Sequence, residues 1–184
     1  MPYTCMKYDS PVGELTVCDD GAGICGLWLE GQKYFGMPLA KGAAPDAPDA
    51  FGETESLAAA KAWLDDYFAG KNPPIDGLTL NPHGSDFQKA VWRELVAIPF
   101  GQTTTYGSIA KSLGAKTGRR VASIAVGGAV GHNPVSIIIP CHRVVGASGS
   151  LTGYAGGLDR KTWLLGHEGV PTDGLFRPKK GTAL

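Results

Sequence analysis

The sequence has no apolar run near the roughly 18 residues that a membrane span needs, and no excess charge of either sign. Its start, Met1-Pro2-Tyr3-Thr4, carries no basic region followed by an apolar stretch, so no export signal is read there and the expected location is the cytoplasm. Four cysteines, Cys5, Cys18, Cys25 and Cys141, would suit disulfides only in a small secreted domain, so without an export signal reduced thiols are expected. No Cys-x-x-Cys, His-Glu-x-x-His or Gly-Lys-Ser/Thr is present, which leaves the common zinc and phosphate-loop chemistries without support. Cys5, Cys18 and Cys25 could meet on one sheet as part of a metal site, but no His is well placed by sequence to complete it. Gly127-Gly128-Ala129-Val130-Gly131 follows a helical pattern instead of a strand, unlike a dinucleotide fingerprint.

What is present suits a globular α/β protein. Apolar residues make up 43% of the chain and charged residues 18%, enough to build a core. The zero net charge hides two opposed halves. Residues 1–84 hold five Lys and Arg against twelve Asp and Glu, a net of −7, and residues 85–184 hold twelve against five, a net of +7. Such asymmetry points to a polyanion partner for the second half.

Segments 3–8, 14–18 and 24–30 are short and rich in β-formers, with turn residues between them, and predict an antiparallel meander. Residues 38–52 read as a loop. A helix follows with Leu57, Ala60, Trp63, Leu64, Tyr67 and Phe68 on one face, closing at Gly70. Residues 73–84, with three prolines, read as a linker between a domain at 1–78 and another at 85–170, and 171–184 reads as a mobile tail. Ser85-Asp86-Phe87-Gln88 fits a capping box. Further helices are expected at 106–113, stopped by Gly114, at 119–130, and at 158–167. The 119–130 helix has a face of Ala122, Ser123, Ala125, Gly127, Gly128 and Ala129, small enough for close helix packing or for entry into a nucleic-acid groove. Residues 135–139 predict a buried strand ended by Pro140, and a hairpin is expected around 146–149.

Cys141 would sit where that strand opens, beside His142 and Arg143, an imidazole and a guanidinium that can favour a thiolate. Successive strand residues point to opposite faces, so His142 can serve Cys141 only through a turn or a bridging water.

Residues 85–170 closely resemble the O6-alkylguanine-DNA alkyltransferase family, also called methylated-DNA-protein-cysteine methyltransferases. The resemblance rests on Phe87-Gln88-Lys89-Ala90-Val91-Trp92, Ile98-Pro99-Phe100-Gly101-Gln102-Thr103, Tyr106-Gly107, Ala125-Val126-Gly127, Asn133-Pro134, Ile139-Pro140-Cys141-His142-Arg143-Val144, Gly153-Tyr154-Ala155-Gly156-Gly157 and His167-Glu168-Gly169. It implies an N-terminal antiparallel sheet with a covering helix, ribonuclease-H-like, and a C-terminal winged helix-turn-helix-like domain. It further implies direct, single-turnover transfer of the alkyl group from O6-alkylguanine, and from O4-alkylthymine, in double-stranded DNA to Cys141, by a monomer without cofactor or metal.

In the family's register Cys141 is the nucleophile, His142 the base acting through a water, and Glu168 the carboxylate orienting it. Tyr106 is the phenol that helps guanine leave, and Asn133 the hinge between the DNA-reading helix and the acceptor segment. Val144, Tyr154 and Ala155 fall at the substrate pocket, and Ala125 and Gly127 at the DNA face. Taken singly, Tyr106 reads as a packing residue, Asn133 as a turn former and Glu168 as a solvated acid, while Arg143 reads as the partner of an acid. The sequence departs from many relatives at Ile124, where they carry an Arg that fills the gap left by a flipped base. The expectation is that Ile124 acts as an apolar wedge while Arg119 and Arg120 contact phosphates. Two rivals remain at this level. A DNA-binding module without transfer would resemble the lesion binders that carry Trp in place of the cysteine; a thiol hydrolase would need an oxyanion hole that nothing marks.

Overall fold

The computed structural model describes residues 3–37, 39 and 51–178. The chain divides into two compact units: one runs up to His83 and also takes Pro134–Ile138, and the other comprises Gly84–Asn133 and the chain from Ile139 onward.

The first unit is built on the expected meander: β1 (Thr4–Ser10), β2 (Gly13–Asp19) and β3 (Ile24–Leu29), in the order β1-β2-β3. The pairing is antiparallel throughout. One face is covered by α1 (Glu55–Phe68), which buries Leu57, Ala60, Trp63, Leu64 and Tyr67; Phe68 is only half-buried. Thr54 caps this helix by accepting from the Leu57 N–H and donates its own hydroxyl to Asp19, 2.6 Å away.

Register places Cys5 directly opposite Cys18, with Gly26 next across the sheet. The expectation of reduced thiols fails here. Cys5 and Cys18 form a disulfide, because opposed residues on adjacent strands bring their Cα atoms to 4.1 Å. Cys25 is a free, buried thiol that donates to the Cys18 carbonyl. Cys5, Cys18, Cys25 and Trp28 form one cluster. A Cβ on Gly26 would lie 1.8 Å from the Trp28 ring, so the indole lies flat across that position only because it is glycine. Among the described residues no three His, Cys, Asp or Glu side chains gather to hold a metal ion.

Two segments expected elsewhere join this sheet. The Pro-rich stretch read as a linker is hydrogen-bonded to the end of β3, with Ile24 N–H donating to Thr79 at 2.8 Å and Asn81 N–H to Ile24 at 2.8 Å. Asn81 and His83 also bond the Asp20 carboxylate. The strand expected at 135–139 is replaced by a single parallel bridge, Leu27 to Val135. Leu27 N–H donates to Pro134 and Ser136 N–H to Leu27. The ladder then stops because Ile137 takes φ +70, a conformation costly for a β-branched residue. Of the loop expected at 38–52, only residues 39, 51 and 52 are described; Gly52 N–H donates to the Cys5 carbonyl.

The second unit packs three helices against each other: α2 (Asp86–Val96), α3 (Tyr106–Thr117) and α4 (Ser123–Gly131). Ser85 and Gln88 complete the capping box of α2. Trp92 on α2 donates its indole N–H to the Ala129 carbonyl on α4 at 2.9 Å. α3 runs past the expected stop at Gly114 to Gly118, whose φ of +66 supplies the left-handed cap. Arg119–Ala122 therefore form the turn of a helix-turn-helix, and α4 begins at Ser123 instead of 119.

A short parallel pair, β4 (Thr104–Thr105) with β5 (Val144–Val145), leads to the tight turn where Gly149 N–H donates to Gly146. Gly146 N–H also donates to the Ser150 carbonyl at 2.8 Å, so the chain reverses where the hairpin was expected, but no second strand pairs with β5 and Ser150 bridges Phe176 of the tail instead. α5 (Leu158–His167) has the expected bounds. The tail is packed as far as it is described: Leu151 N–H donates to the Phe176 carbonyl, Phe176 N–H donates to the Gly149 carbonyl, and Leu175 joins the cluster of Val145, Leu151, Leu165 and Val170. The rest of the expected mobile tail, 179–184, lies outside the described residues.

Candidate active site

Pro140 ends the extended chain, and Cys141–Arg143 wind into one 3-10 turn, closed by Val144 N–H donating to the Cys141 carbonyl. Cys141 is thus not at the end of a strand, as expected, but at the start of a turn. The alternation of a strand no longer separates it from His142. All five residues from Cys141 to Val145 are buried.

Glu168, the C-cap of α5, organises this turn. Its Oε1 accepts from His142 Nε2 at 2.7 Å and from Arg143 at 3.0 Å; its Oε2 accepts from Arg143 Nε at 2.8 Å and from the Gly101 N–H at 3.2 Å. Arg143 also donates to the Ile98 carbonyl at 2.6 Å. Burial alone would raise the Glu168 carboxyl, but the bonds and charges of His142 and Arg143 outweigh it and hold the group down to about 2. Gly101 is needed for this approach: its φ is +74, and a Cβ there would lie 2.9 Å from the Glu168 carbonyl oxygen.

An ionised carboxylate only accepts, so the His142 Nε2 carries a proton. Burial keeps the ring below its ordinary value, although Glu168 pulls the other way. The neutral ring therefore has its lone pair on Nδ1, which has no hydrogen-bond partner among the described residues. Arg143, read from sequence as an acid's partner, holds the same carboxylate.

Asn133, just past the end of α4, donates its amide to the Ile139 carbonyl at 2.8 Å and also bonds the Cys141 sulfur. Burial pushes the Cys141 thiol up; the Asn133 amide, the Lys161 charge and the N–H groups of Cys141 and His142 act in the opposite direction. Tyr106 at the start of α3 donates to the Thr152 carbonyl at 3.0 Å. Burial and the nearby Cys141 push its hydroxyl up to about 12, so it stays protonated. Tyr154 is buried edge-on to His142, at 6.5 Å between ring centres. Val144 is fully buried and Ala155 half-buried in the following loop.

Lys161 was missed. Its side chain on α5 is fully buried, and its ammonium donates to the Val144 carbonyl at 2.5 Å and the Thr152 carbonyl at 3.0 Å. The only sequence signal was a charge on the otherwise apolar stripe of Leu158, Leu164 and Leu165.

The expected DNA face is separate in kind: it is exposed. Ile124 is 88% accessible at the start of α4, an unusual exposure for a large apolar side chain. Arg119, Arg120 and Ala125 are exposed as well, and with Phe87 and Thr117 they line an open cleft of about 560 Å³. Gly127 lies against Tyr106, where a Cβ would sit 3.8 Å from the ring.

The family model of the 6-O-methylguanine DNA methyltransferase DNA binding domain matches residues 86–170, and that of its ribonuclease-like domain matches residues 3–82. The chain belongs to the 6-O-methylguanine DNA methyltransferase family. A methylated-DNA–protein-cysteine methyltransferase of Mycolicibacterium paratuberculosis is 44% identical over 163 residues, covering 87% of this chain and 88% of that relative. A crystal structure of the Mycobacterium tuberculosis O6-methylguanine methyltransferase aligns with a TM-score of 0.73 at 37% identity, covering 97% of this chain and 96% of that one. The Mycobacterium tuberculosis OGT solved in complex with DNA aligns at 0.71 and 39% identity, covering 93% and 96%. Membership gives the mixed α/β architecture its two parts, a ribonuclease-like one and a DNA-binding one.

Proposed function

We propose that this chain repairs DNA by moving the alkyl group of O6-alkylguanine in a duplex to Cys141, once per molecule and without a cofactor. Its observational support is the chain of bonds from Glu168 to His142, which leaves a basic Nδ1 on the residue next to a buried cysteine.

The chemistry balances with these residues alone. His142 Nδ1 takes the Cys141 proton, directly or through one water, and the thiolate attacks the alkyl carbon. A sulfur–carbon bond forms as the bond from that carbon to O6 breaks. Tyr106, kept protonated by burial, turns its one hydroxyl hydrogen from the Thr152 carbonyl to the departing base, and the proton lost by the thiol is the one guanine finally gains. Arg143 and Glu168 hold the imidazole in the required tautomer. Asn133 fixes the chain on the far side of the sulfur, and Val144, Tyr154 and Ala155 surround the base. Reaction at O4-alkylthymine follows the same path, since only the atom carrying the alkyl group changes.

A base inside a duplex must be flipped out before its O6 can reach a buried thiol, at a cost of a few kcal/mol. Ile124 is the apolar wedge that takes its place in the stack, the small residues Ala125 and Gly127 let α4 sit in the minor groove, and Arg119 and Arg120 contact phosphates. DNA contact thus falls to residues 85–170. The protein acts as a cytoplasmic monomer; among the described residues no helix is long and apolar enough to cross a membrane. Incubation with a methylated duplex should add one methyl group to Cys141 and leave the protein inactive. Repeated turnover, or a methyl group on another residue, would refute the proposal.

A further inference from the structure

A lysine with no solvent contact is rare, because an ammonium loses its hydration on burial and regains it only from well-placed acceptors. Lys161 has two such acceptors, and their positions matter. The Val144 carbonyl belongs to the residue whose N–H closes the Cys141 turn. The Thr152 carbonyl is the one that also accepts the Tyr106 hydroxyl. One ammonium therefore holds both the turn that carries the sulfur and the loop that positions the phenol. Among the described residues no carboxylate is its partner: the buried carboxylate of this unit, Glu168, is taken up by His142, Arg143 and Gly101.

We propose that Lys161 is a positioning residue for Cys141: it fixes the two carbonyls beside the acceptor turn and supplies the buried positive charge that favours the thiolate. The other titratable or charged groups facing the sulfur do not fill this role. His142 is neutral at rest, Arg143 is bound to Glu168, and Tyr106 and Tyr154 are uncharged phenols whose ionisation the sulfur itself opposes. Arg160 acts on Tyr154 and donates to the Gly156 carbonyl. Burial draws the Lys161 ammonium down to about 8, and the charge of Cys141 acts against that fall. The coupling is mutual: what the ammonium does for the thiolate, the thiolate does for the ammonium.

This inference rests on the alkyl-transfer reading for its purpose, but its test does not. Cys141 is alkylated with iodoacetamide across pH, the product located by peptide mass, in the wild type, Lys161→Met and Lys161→Arg. Lys161→Met should move the midpoint of the rate profile up by about one pH unit, a tenfold loss of thiolate below it, with a similar plateau above. Lys161→Arg should restore most of the shift. A uniform loss at every pH with an unmoved midpoint would overturn the proposal. If the lysine variants do not unfold cooperatively, the decision falls to the wild type and Cys141→Ser, with the Lys161 side chain followed by NMR titration. Its midpoint should be lower in Cys141→Ser, and equal midpoints would overturn the proposal. Wild-type protein that shows these shifts yet does not react with O6-benzylguanine would instead refute alkyl transfer and leave Lys161 as assigned.

Discussion

Arg143 grips Glu168 with two parallel bonds, Nε to Oε2 at 2.8 Å and the terminal nitrogen to Oε1 at 3.0 Å, and the Glu168 side chain is sealed from solvent. The same carboxylate sets the His142 tautomer, so the fold and the proposed proton transfer share one group. Glu168→Gln replaces an oxygen that only accepts with an amide that must donate toward Arg143 or His142. Breaking a buried pair from one side costs roughly 3–5 kcal/mol. Denaturant unfolding should show a loss of that size, and transfer to Cys141 should fall in whatever fraction stays folded.

Acid should weaken the protein in two stages. His142 is held below its ordinary 6.5 in the fold, so the unfolded chain takes up its proton first and stability declines as pH drops through 6.5. Glu168 is held down to about 2 from an ordinary 4.5. Its contribution is whole above 4.5 and lost as pH falls from there toward 2, an effect on the order of 3 kcal/mol. Urea midpoints measured from pH 7 to 2.5 should fall in both windows; a flat response between 4.5 and 2.5 would contradict the assigned bonding of Glu168.

Ile124 touches DNA or it touches nothing, since 88% of it is accessible. Ile124→Ala should slow repair of a methylated duplex by about tenfold or more, the kinetic equivalent of losing roughly 1.4 kcal/mol of wedge stabilisation. Reaction with free O6-benzylguanine should be unchanged. Equal slowing of both would remove Ile124 from the DNA face.

Arg119 and Arg120 should differ from Ile124 in signature. Each phosphate neutralised contributes about 0.9 to the slope of log affinity against log salt. The double variant Arg119→Ala, Arg120→Ala should flatten that slope for undamaged duplex by about 1.8 if both make contacts. An unaltered slope would place them away from phosphate.

Elements set by local chemistry were legible before the structure. The meander followed from β-formers punctuated by turns, α2 from the Ser85–Gln88 box, and α5 from an apolar stripe that only Lys161 interrupts. Errors arose where a distant contact decided. Ile137, Ile138 and Ile139 are strong strand formers, yet the left-handed Ile137 ends the pairing after one bridge. Gly114 stays inside α3 because packing tolerates a glycine there, while Gly118 has the positive φ that stops a helix. Cys5 and Cys18 are thirteen residues apart, and only the strand register makes them opposite. At the site, Cys141 was singled out by its place after Pro140 with His142 and Arg143 beside it, whereas Glu168, Tyr106 and Asn133 came from resemblance. Lys161 escaped because lysine is the residue least expected in a dry interior, and only the carbonyls of Val144 and Thr152 account for it.

The five residues Pro134–Ile138 are contiguous in sequence with the second unit but grouped by contact with the first, paired to Leu27 on β3. Cutting the chain before Gly84 would therefore leave a fragment holding an orphaned piece of someone else's sheet. Its backbone groups, and the left-handed Ile137 four residues upstream of Cys141, would lose the neighbours that hold them. In this chain the gene order of the parts and the order in which they can be taken apart are different things.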